Sequence, residues 1–506
     1  MVRRGQDPAC SPPSQPATLR FKKNSPTILS SLRDFWRDCT PAFPQQRLAD
    51  RAQALSLSSL LCLGRHTLTG LLTTSGREFQ DWSADYRLFS RQRLPVSAIF
   101  DVIRRVVLAE LPPTAPLSVA IDDSLLRKSG VRIPGVAWRR DPLGPSFQTN
   151  FVRAQRFLQL SAAVPLSAQA YRMIPIGWHH APTPPKPSRK ASAEQVKEYE
   201  QSARLARLPL IAVQKIRSLR EALDREPNGA ARPLHVCADG GYTNETVLKR
   251  LPARTVLIGR IRQDAKLHFP PPPSPRRPQP GRPRRYGALA PTPEQLRVDE
   301  ASPWTTLDIN VSGAPHQMRI KRLGPVLWRV AGLAHTLQLV VIAPLSYRLR
   351  KNSKLLYRRP AFLICTDPDL DLRTLVQEYV QRCDIETNFR EEKTLLGVGQ
   401  AQVRNPHSVE TVPALQVASY AMLLLASIRA YRQPGTADLL PPPKWNTTSP
   451  PDRLSTPRAI NQLRAELWHS ALGFTNFSGF VAQHTTFTKP EKFTPDLPSA
   501  VLYAVN

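Results

Sequence analysis

"YVQRCDIETNFREEK", residues 379–393, decides how the rest of this 506-residue chain is read. It puts Tyr379, Arg382, Glu386 and Lys393 at offsets of 0, 3, 7 and 14. On an α-helix, at about 100° per residue, these fall at about 0, −60, −20 and −40° around the axis, a single stripe roughly 21 Å long. "AFLICTD" (361–367) reads as a strand just ahead of it, Asp371 can cap the helix, and Gly397 can end it. Two readings of the stripe stand open. One is a solvated face laced with ion pairs three or four residues apart. The other is an acid held among two cations and a phenol for chemistry.

Charge favours a polyanion as partner. Lys and Arg number 70 against 39 Asp and Glu, a net +31, more than solubility needs. Nucleic acid is the first candidate and an anionic membrane the second. Apolar residues make up 41%, which excludes a globally disordered chain. The length suits two to four domains. The six cysteines, at 10, 39, 62, 237, 365 and 383, include no CxxC pair. Neither a zinc knuckle nor a disulfide scaffold is expected, and a reducing cytoplasm is. "MVRRGQDPACSPPSQ" lacks the apolar core of a secretory signal. "VPALQVASYAMLLLASI" (412–428) is interrupted by Pro413, Gln416, Ser419 and Ser427. It predicts a buried helix, not a membrane span.

Along the chain, residues 1–27 read as a disordered lead and 28–112 as a helical N-terminal domain. Apolar residues recur there at helical spacing in "QQRLADRAQALSLSSLLCLG" (45–64) and "VSAIFDVIRRVVLAEL" (96–111). Between them "WSADYRLFSRQRLP" (82–95) mixes aromatics with arginines, as a DNA-facing element or a packing face would. Residues 113–265 form the first part of an α/β core, with strands near 117–121, 147–166, 233–238 and 255–262 and one long helix over 193–223. Residues 266–360 read as a β-rich insertion carrying a basic Pro-rich loop. Residues 361–432 complete the core, and 433–506 are a Pro-rich linker and tail. The fold class is α/β, a mixed sheet flanked by helices.

Two strands end in acids. "LSVAI" (117–121) runs into Asp122 and Asp123, which compete for one role, and "LHVCA" (234–238) runs into Asp239. With Glu386 on the helix the separations are 116 (239 minus 123) and 147 (386 minus 239). A lone strand-end Asp is more often a turn or cap residue; the coincidence of three acids with the stripe carries the reading. Three carboxylates on rigid elements can hold two hard cations, Mg²⁺ or Mn²⁺. Such a pair activates a water or a 3′-hydroxyl against a phosphodiester. Tyr379, Arg382 and Lys393 suit the phosphates beside the scissile bond. Ser124 has no histidine near it in sequence, and His179-His180 reads as a satisfied loop pair.

The spacing Tyr379-x2-Arg382-x3-Glu386-x6-Lys393 resembles, at all four positions, the signature of bacterial DDE transposases of the insertion-sequence-four family. "IDDS" (121–124) is similar to that family's first catalytic strand, where the Asp precedes Ser or Thr, which favours Asp123. "VCADGGYTN" (236–244) is similar to the strand carrying the second Asp, here Asp239. The resemblance covers about 115 to 430. It implies a ribonuclease-H-like core interrupted by the insertion, with Asp123, Asp239 and Glu386 both catalytic and metal-binding on two Mg²⁺ or Mn²⁺ ions. It implies DNA-binding roles for Tyr379, Arg382 and Lys393. It also implies an insertion aromatic, Trp328 or Trp304, against a flipped base. Some members continue after the second Asp with an Arg and an acid, whereas Gly240, Gly241 and Tyr242 follow here, which leaves the subgroup open. Arg282 and Arg284 lie in "PGRPRRYG" (280–287), a minor-groove hook or a plain linker. The function implied is cut-and-paste transposition, by hydrolysis and strand transfer at the element's ends. The partners implied are terminal inverted repeats and target duplex, bound as a dimer in the bacterial cytoplasm with no membrane role. A non-catalytic DNA-binding relic and a nuclease without transposition remain as alternatives.

Overall fold

The strands "LSVAI" and "LHVCA" are apolar almost without alternation because they lie side by side in the middle of a sheet covered on both faces. The computed structural model describes residues 26–145, 147–167, 170–272, 284–311, 313–348, 353–431, 439–440, 443, 455–472 and 497–502. Among these the strands are β1 (Leu117–Arg127), β2 (Ala137–Arg140), β3 (Phe151–Pro165), β4 (Tyr171–His180), β5 (Leu234–Ala238), β6 (Thr255–Arg260), β7 (Leu267–His268), β8 (Thr305–Val311), β9 (Ala314–Trp328), β10 (Leu337–Ile342), β11 (Ser346–Tyr347), β12 (Leu356–Tyr357) and β13 (Ala361–Cys365). All but the β11–β12 ribbon join one mixed sheet, ordered β2-β3-β1-β5-β6-β13-β10-β9-β7. β4 adds to β3 and β8 to β9. Only β1, β5 and β6 pair in parallel. β2 takes the first residues of one edge of β3 and β4 the rest, with β1 along the other edge.

The β-rich segment 266–360 is not a separate layer. Its strand β10 pairs with β13, which pairs with β6, so the insertion extends the central sheet. Helices α1 (Ile28–Cys39), α2 (Gln46–Leu61), α3 (Leu68–Thr74), α4 (Ser83–Ser90) and α5 (Val96–Ala109) make the N-terminal part helical, as expected. α6 (Ala193–Leu205) and α7 (Leu208–Asp224) precede β5, and α8 (Glu245–Leu248) joins β5 to β6. α9 (Pro293–Val298) lies in the insertion. α10 (Leu372–Arg382), α11 (Asp384–Thr394), α12 (Ser408–Tyr431), α13 (Thr456–Trp468) and α14 (Leu497–Leu502) follow. α12 is the helix flagged as apolar; it is long and apolar enough to cross a membrane, but it is almost wholly buried here. It packs against α1, α2, α5 and β4 in an apolar cluster shared by the N-terminal helices and the sheet.

Three expectations change. The helix over 193–223 is two, α6 and α7, because Pro209 falls in the first turn of the second, where a missing N–H costs nothing. The helix over 371–397 is also two. Cys383 N–H bonds Val380 C=O and Glu386 N–H bonds Cys383 C=O, three-residue steps that tighten the turn. His179 and His180 end strand β4, not a loop: His180 stacks on Phe157 with ring centroids 4.8 Å apart, and burial pushes His179 down to about 3. The lead over 1–25, most of the basic loop including Arg282, and most of the Pro-rich stretch after 432 lie outside the described residues.

Candidate functional site

β1 and β5 run in parallel register from Leu117 opposite Leu234 to Ile121 opposite Ala238. The next residues along are Asp122 on β1 and Asp239 just past the end of β5, and Asp239 is close enough to raise both Asp122 and Asp123. Asp123, one residue after Asp122 on β1, points to the opposite face of the sheet. The two neighbouring aspartates therefore meet different partners. Arg382 Nη2 donates to Asp122 Oδ2 at 2.9 Å, across the face that α10 covers. Tyr242 donates its hydroxyl to Asp123 Oδ1 at 2.7 Å. Asp239 sits at the strand end, where its Oδ1 accepts the Gly241 N–H at 2.9 Å.

The electrostatics tie these groups together. Burial pushes Asp122 up to about 7, Arg382 opposes this, and Asp239 and Asp123 add to it. Burial also raises Asp123, against the pull of the Tyr242 hydrogen bond and Arg156, and Asp239 raises it further. Burial and Asp123 raise the Tyr242 phenol in turn. Asp122 and Asp123 in the middle of β1 thus share the field of Asp239 at the end of β5, with Arg382 beside Asp122 and Arg156 and Arg139 beside Asp123.

The stripe is brought together only in part. Asp371 caps α10 as expected, its Oδ2 accepting the Thr374 N–H at 2.9 Å. Tyr379 is buried and packs in a cluster with Cys237, Ile258, Leu363 and Leu375. Arg382 is buried against Asp122. Beyond Cys383 the geometry changes, because a three-residue turn advances about 120° per residue where an α-helix advances about 100°. Glu386 is exposed. Lys393 lies over the Phe389 ring at 5.9 Å, and burial lowers its pKa.

Trp328 lines a cavity of about 820 Å³ that opens beside the second aspartate, with Gly240, Asn244, Arg260, Arg262 and Arg359 on its walls. Trp304 lines another, of about 740 Å³, and carries Arg319 and Lys321 over its ring at 5.5 and 4.7 Å. Arg284 is exposed.

The sequence reading missed four residues. Tyr242 stood inside the quoted "VCADGGYTN" and marked itself only by following the Asp. His235, Glu378 and Glu392 carried no signal. His235 Nδ1 meets both Glu378 oxygens, at 3.0 and 2.9 Å, and so ties β5 to α10. Glu392 is 1% exposed, and neither carboxyl oxygen has a hydrogen-bond partner.

The donor set fits a hard divalent cation at the aspartates. Mg²⁺ is commonly held by one or two carboxylates, with waters and substrate phosphate completing the octahedron. Asp239 with one of the paired aspartates meets that need, and their mutual repulsion is the charge such an ion would neutralise. Among the described residues, no group of three His, Cys, Asp or Glu is placed to hold an ion, so Glu386 does not complete the set in this arrangement.

Residues 38–332 match the family described as DDE superfamily endonuclease, a stretch that contains Asp122, Asp123 and Asp239 and stops short of Glu386. Among curated proteins, none matches the chain.

Proposed function

Because the chain belongs to the DDE superfamily of endonucleases, we propose that it is a DNA transposase of the insertion-sequence-four type. On this reading it cleaves and joins the ends of a mobile element through a ribonuclease-H-like core. The strand order β4-β3-β1-β5-β6, with β1, β5 and β6 parallel, supports that core. The observation that carries the reading is the meeting of the β1 carboxyl Asp122 and the β5-end Asp239 with Arg382, the stripe's arginine, at 2.9 Å from Asp122.

Asp239 and Asp123 would hold the cation, with Asp122, which faces Arg382 on α10, as the competing first ligand. Glu386, which stands outside the aspartate set in this arrangement, would become the third ligand only on a movement of α11 toward β1 and β5. Bound divalent ions would supply a nucleophile at neutral pH and charge neutralisation at the leaving oxygen. The chain's own groups do the rest. Tyr242 orients the Asp123 carboxyl through its hydroxyl. Arg382 and Lys393 offer charge to the phosphates flanking the reacting bond, and Tyr379 packs the helix that presents Arg382. Trp328 and the arginines around its cavity suit a base taken out of the stack, and Arg284 adds charge for the duplex. A dimer on paired ends, in a bacterial cytoplasm, completes the proposal.

The test is cleavage of a labelled element-end duplex in Mg²⁺ or Mn²⁺, followed by joining to a target plasmid. Asp123→Ala, Asp239→Ala and Glu386→Ala should each abolish cleavage and keep duplex binding, since the basic surface supplies most of the affinity. Binding without cleavage by the wild type would favour the relic, and cleavage without joining the plain nuclease. Full cleavage by Asp123→Ala with none by Asp122→Ala would move the first ligand to Asp122.

A further inference from the structure

The β2–β3 hairpin at the sheet edge concentrates arginines and exposed rings. Residues 131–153 hold four arginines (132, 139, 140 and 153) against one acid, Asp141. That acid is already paired with Arg127 at 2.7 Å. In the β2–β3 ladder Trp138 lies opposite Arg153, and Arg140 opposite Phe151. Alternate residues of a strand share a face, as do directly opposed ones. Trp138, Arg140, Phe151 and Arg153 therefore form one two-by-two patch in which rings and guanidiniums alternate. Trp138 is 68% exposed and Phe151 57%, and Phe147 at the hairpin tip is 89% exposed. The Arg153 guanidinium sits 5.9 Å from the Trp138 ring centroid.

This patch is on the face of the sheet that carries Asp122. Counting by twos along β3, Arg153 shares its face with Gln155, Phe157 and Gln159, and Gln159 is the direct partner of Asp122 on β1. Six residues along the strand and two strands across put Trp138 ~22 Å from Asp122, by the usual strand rise and spacing. That is about six base steps at ~3.4 Å each. Arg127, paired with Ala154 at the near end of β1, falls on the opposite face.

We propose that the outer face of the β2–β3 hairpin binds an unpaired DNA strand leading away from the reacting phosphate, its bases stacked on Trp138 and Phe151 and its phosphates on Arg140 and Arg153. The proposal rests on the reading of this chain as a DNA-processing enzyme and names a further contact of that site. Exposed rings separated by guanidiniums match a strand whose bases and phosphates alternate, and stacking does not discriminate sequence. In an intact duplex the bases pair with each other and leave these rings without partners, so the extended strand is the occupant the charge and the rings select together.

The experiment is fluorescence anisotropy with the full chain and two labelled probes: a blunt element-end duplex, and the same duplex with an eight-nucleotide unpaired extension. The wild type should bind the extended probe about tenfold or more tightly, since each stacked base contributes a factor of that order. Trp138→Ala/Phe151→Ala should lose that preference and bind the blunt probe within about twofold of the wild type. Trp138→Phe/Phe151→Tyr should restore it, and both variants should melt as the wild type does. Arg140→Gln/Arg153→Gln should lower the salt slope on the extended probe by about 1.4, two contacts at ~0.7 each. Equal wild-type affinity for both probes would overturn the proposal and leave the transposase reading intact. So would an unchanged preference in the alanine variant. A change in sedimentation of that variant without DNA would show a protein interface on this face, which also overturns it. Failure to bind either probe would remove both readings.

Discussion

Glu392 sits on α11, the helix that carries Glu386, and it is the most deeply buried acid in that segment. Both its oxygens lack partners. Burial pushes it up to about 8 from an ordinary 4.5, and Gln159 and Lys393 only partly oppose the shift. The folded protein therefore keeps a proton here that the unfolded chain has lost across pH ~4.5–8. The stability tied to that proton is complete at the acid end of the window and drains away as pH rises through it. Each pH unit in the window is worth about 1.4 kcal/mol, so from pH 5 to 7.5 this group alone should cost the fold about 3 kcal/mol. Glu392→Gln keeps the shape and cannot ionise. Its amide also faces Gln159, whose own Oε1 is unpartnered. The variant should match the wild type at pH 5 and exceed it by about 3 kcal/mol at pH 7.5. Urea unfolding followed by tryptophan fluorescence at pH 5, 6, 7 and 7.5 measures the difference, in which every other titrating group cancels. Parallel stability profiles for the two proteins would refute the reasoning.

Tyr242→Phe removes the hydroxyl that opposes the burial-driven rise of the Asp123 carboxyl, so the acid limb of the cleavage rate should move to higher pH, read from a pH–rate profile in Mg²⁺. Glu378→Ala should destabilise the protein by about 3–5 kcal/mol, because it strips a buried His235 of its partner. His235→Phe/Glu378→Leu should recover most of that loss, and denaturant midpoints decide between them. Arg382→Gln/Lys393→Gln should lose some stability, because Asp122 is left buried without its cation, yet still bind the duplex and fail to process labelled ends; wild-type cleavage by this variant would remove both residues from the site.

What could be read from the sequence was what repeats locally. The strand running into Asp239, the Asp371 cap and the burial of α12 each depend on a few adjacent residues, and each is where it was expected; β1, by contrast, does not end at its aspartates but runs through them to Arg127, because β3 pairs with it that far. The pairing of Arg382 with Asp122 depends on two strands and a helix meeting from 260 residues apart, and no local pattern encodes it. The break at Cys383 carries neither proline nor glycine, so periodicity passed over it and drew one stripe where the chain makes two segments. Segment 266–360 was recognisably β-rich, but alternation in a strand says which face is buried, not which neighbour it pairs with. That β10 would reach β13 was therefore invisible. Glu392 looked like one more surface charge in "FREEK", and only packing shows that it is the buried one.

The seating of β13 between β6 and β10 has a consequence for synthesis. β6 ends at Arg260 and β13 begins at Ala361, 101 residues later. At ~5–20 residues per second, a ribosome would leave the open edge of β6 waiting about 5–20 s for its neighbour. An unpaired central strand is a template for any other extended chain nearby. The newborn protein thus passes through an interval in which its aspartates are already folded onto β1 and β5 while its sheet is still unfinished. Codon choice across the insertion and the supply of chaperones during that interval would then govern how much protein survives, without altering a single contact in the finished fold.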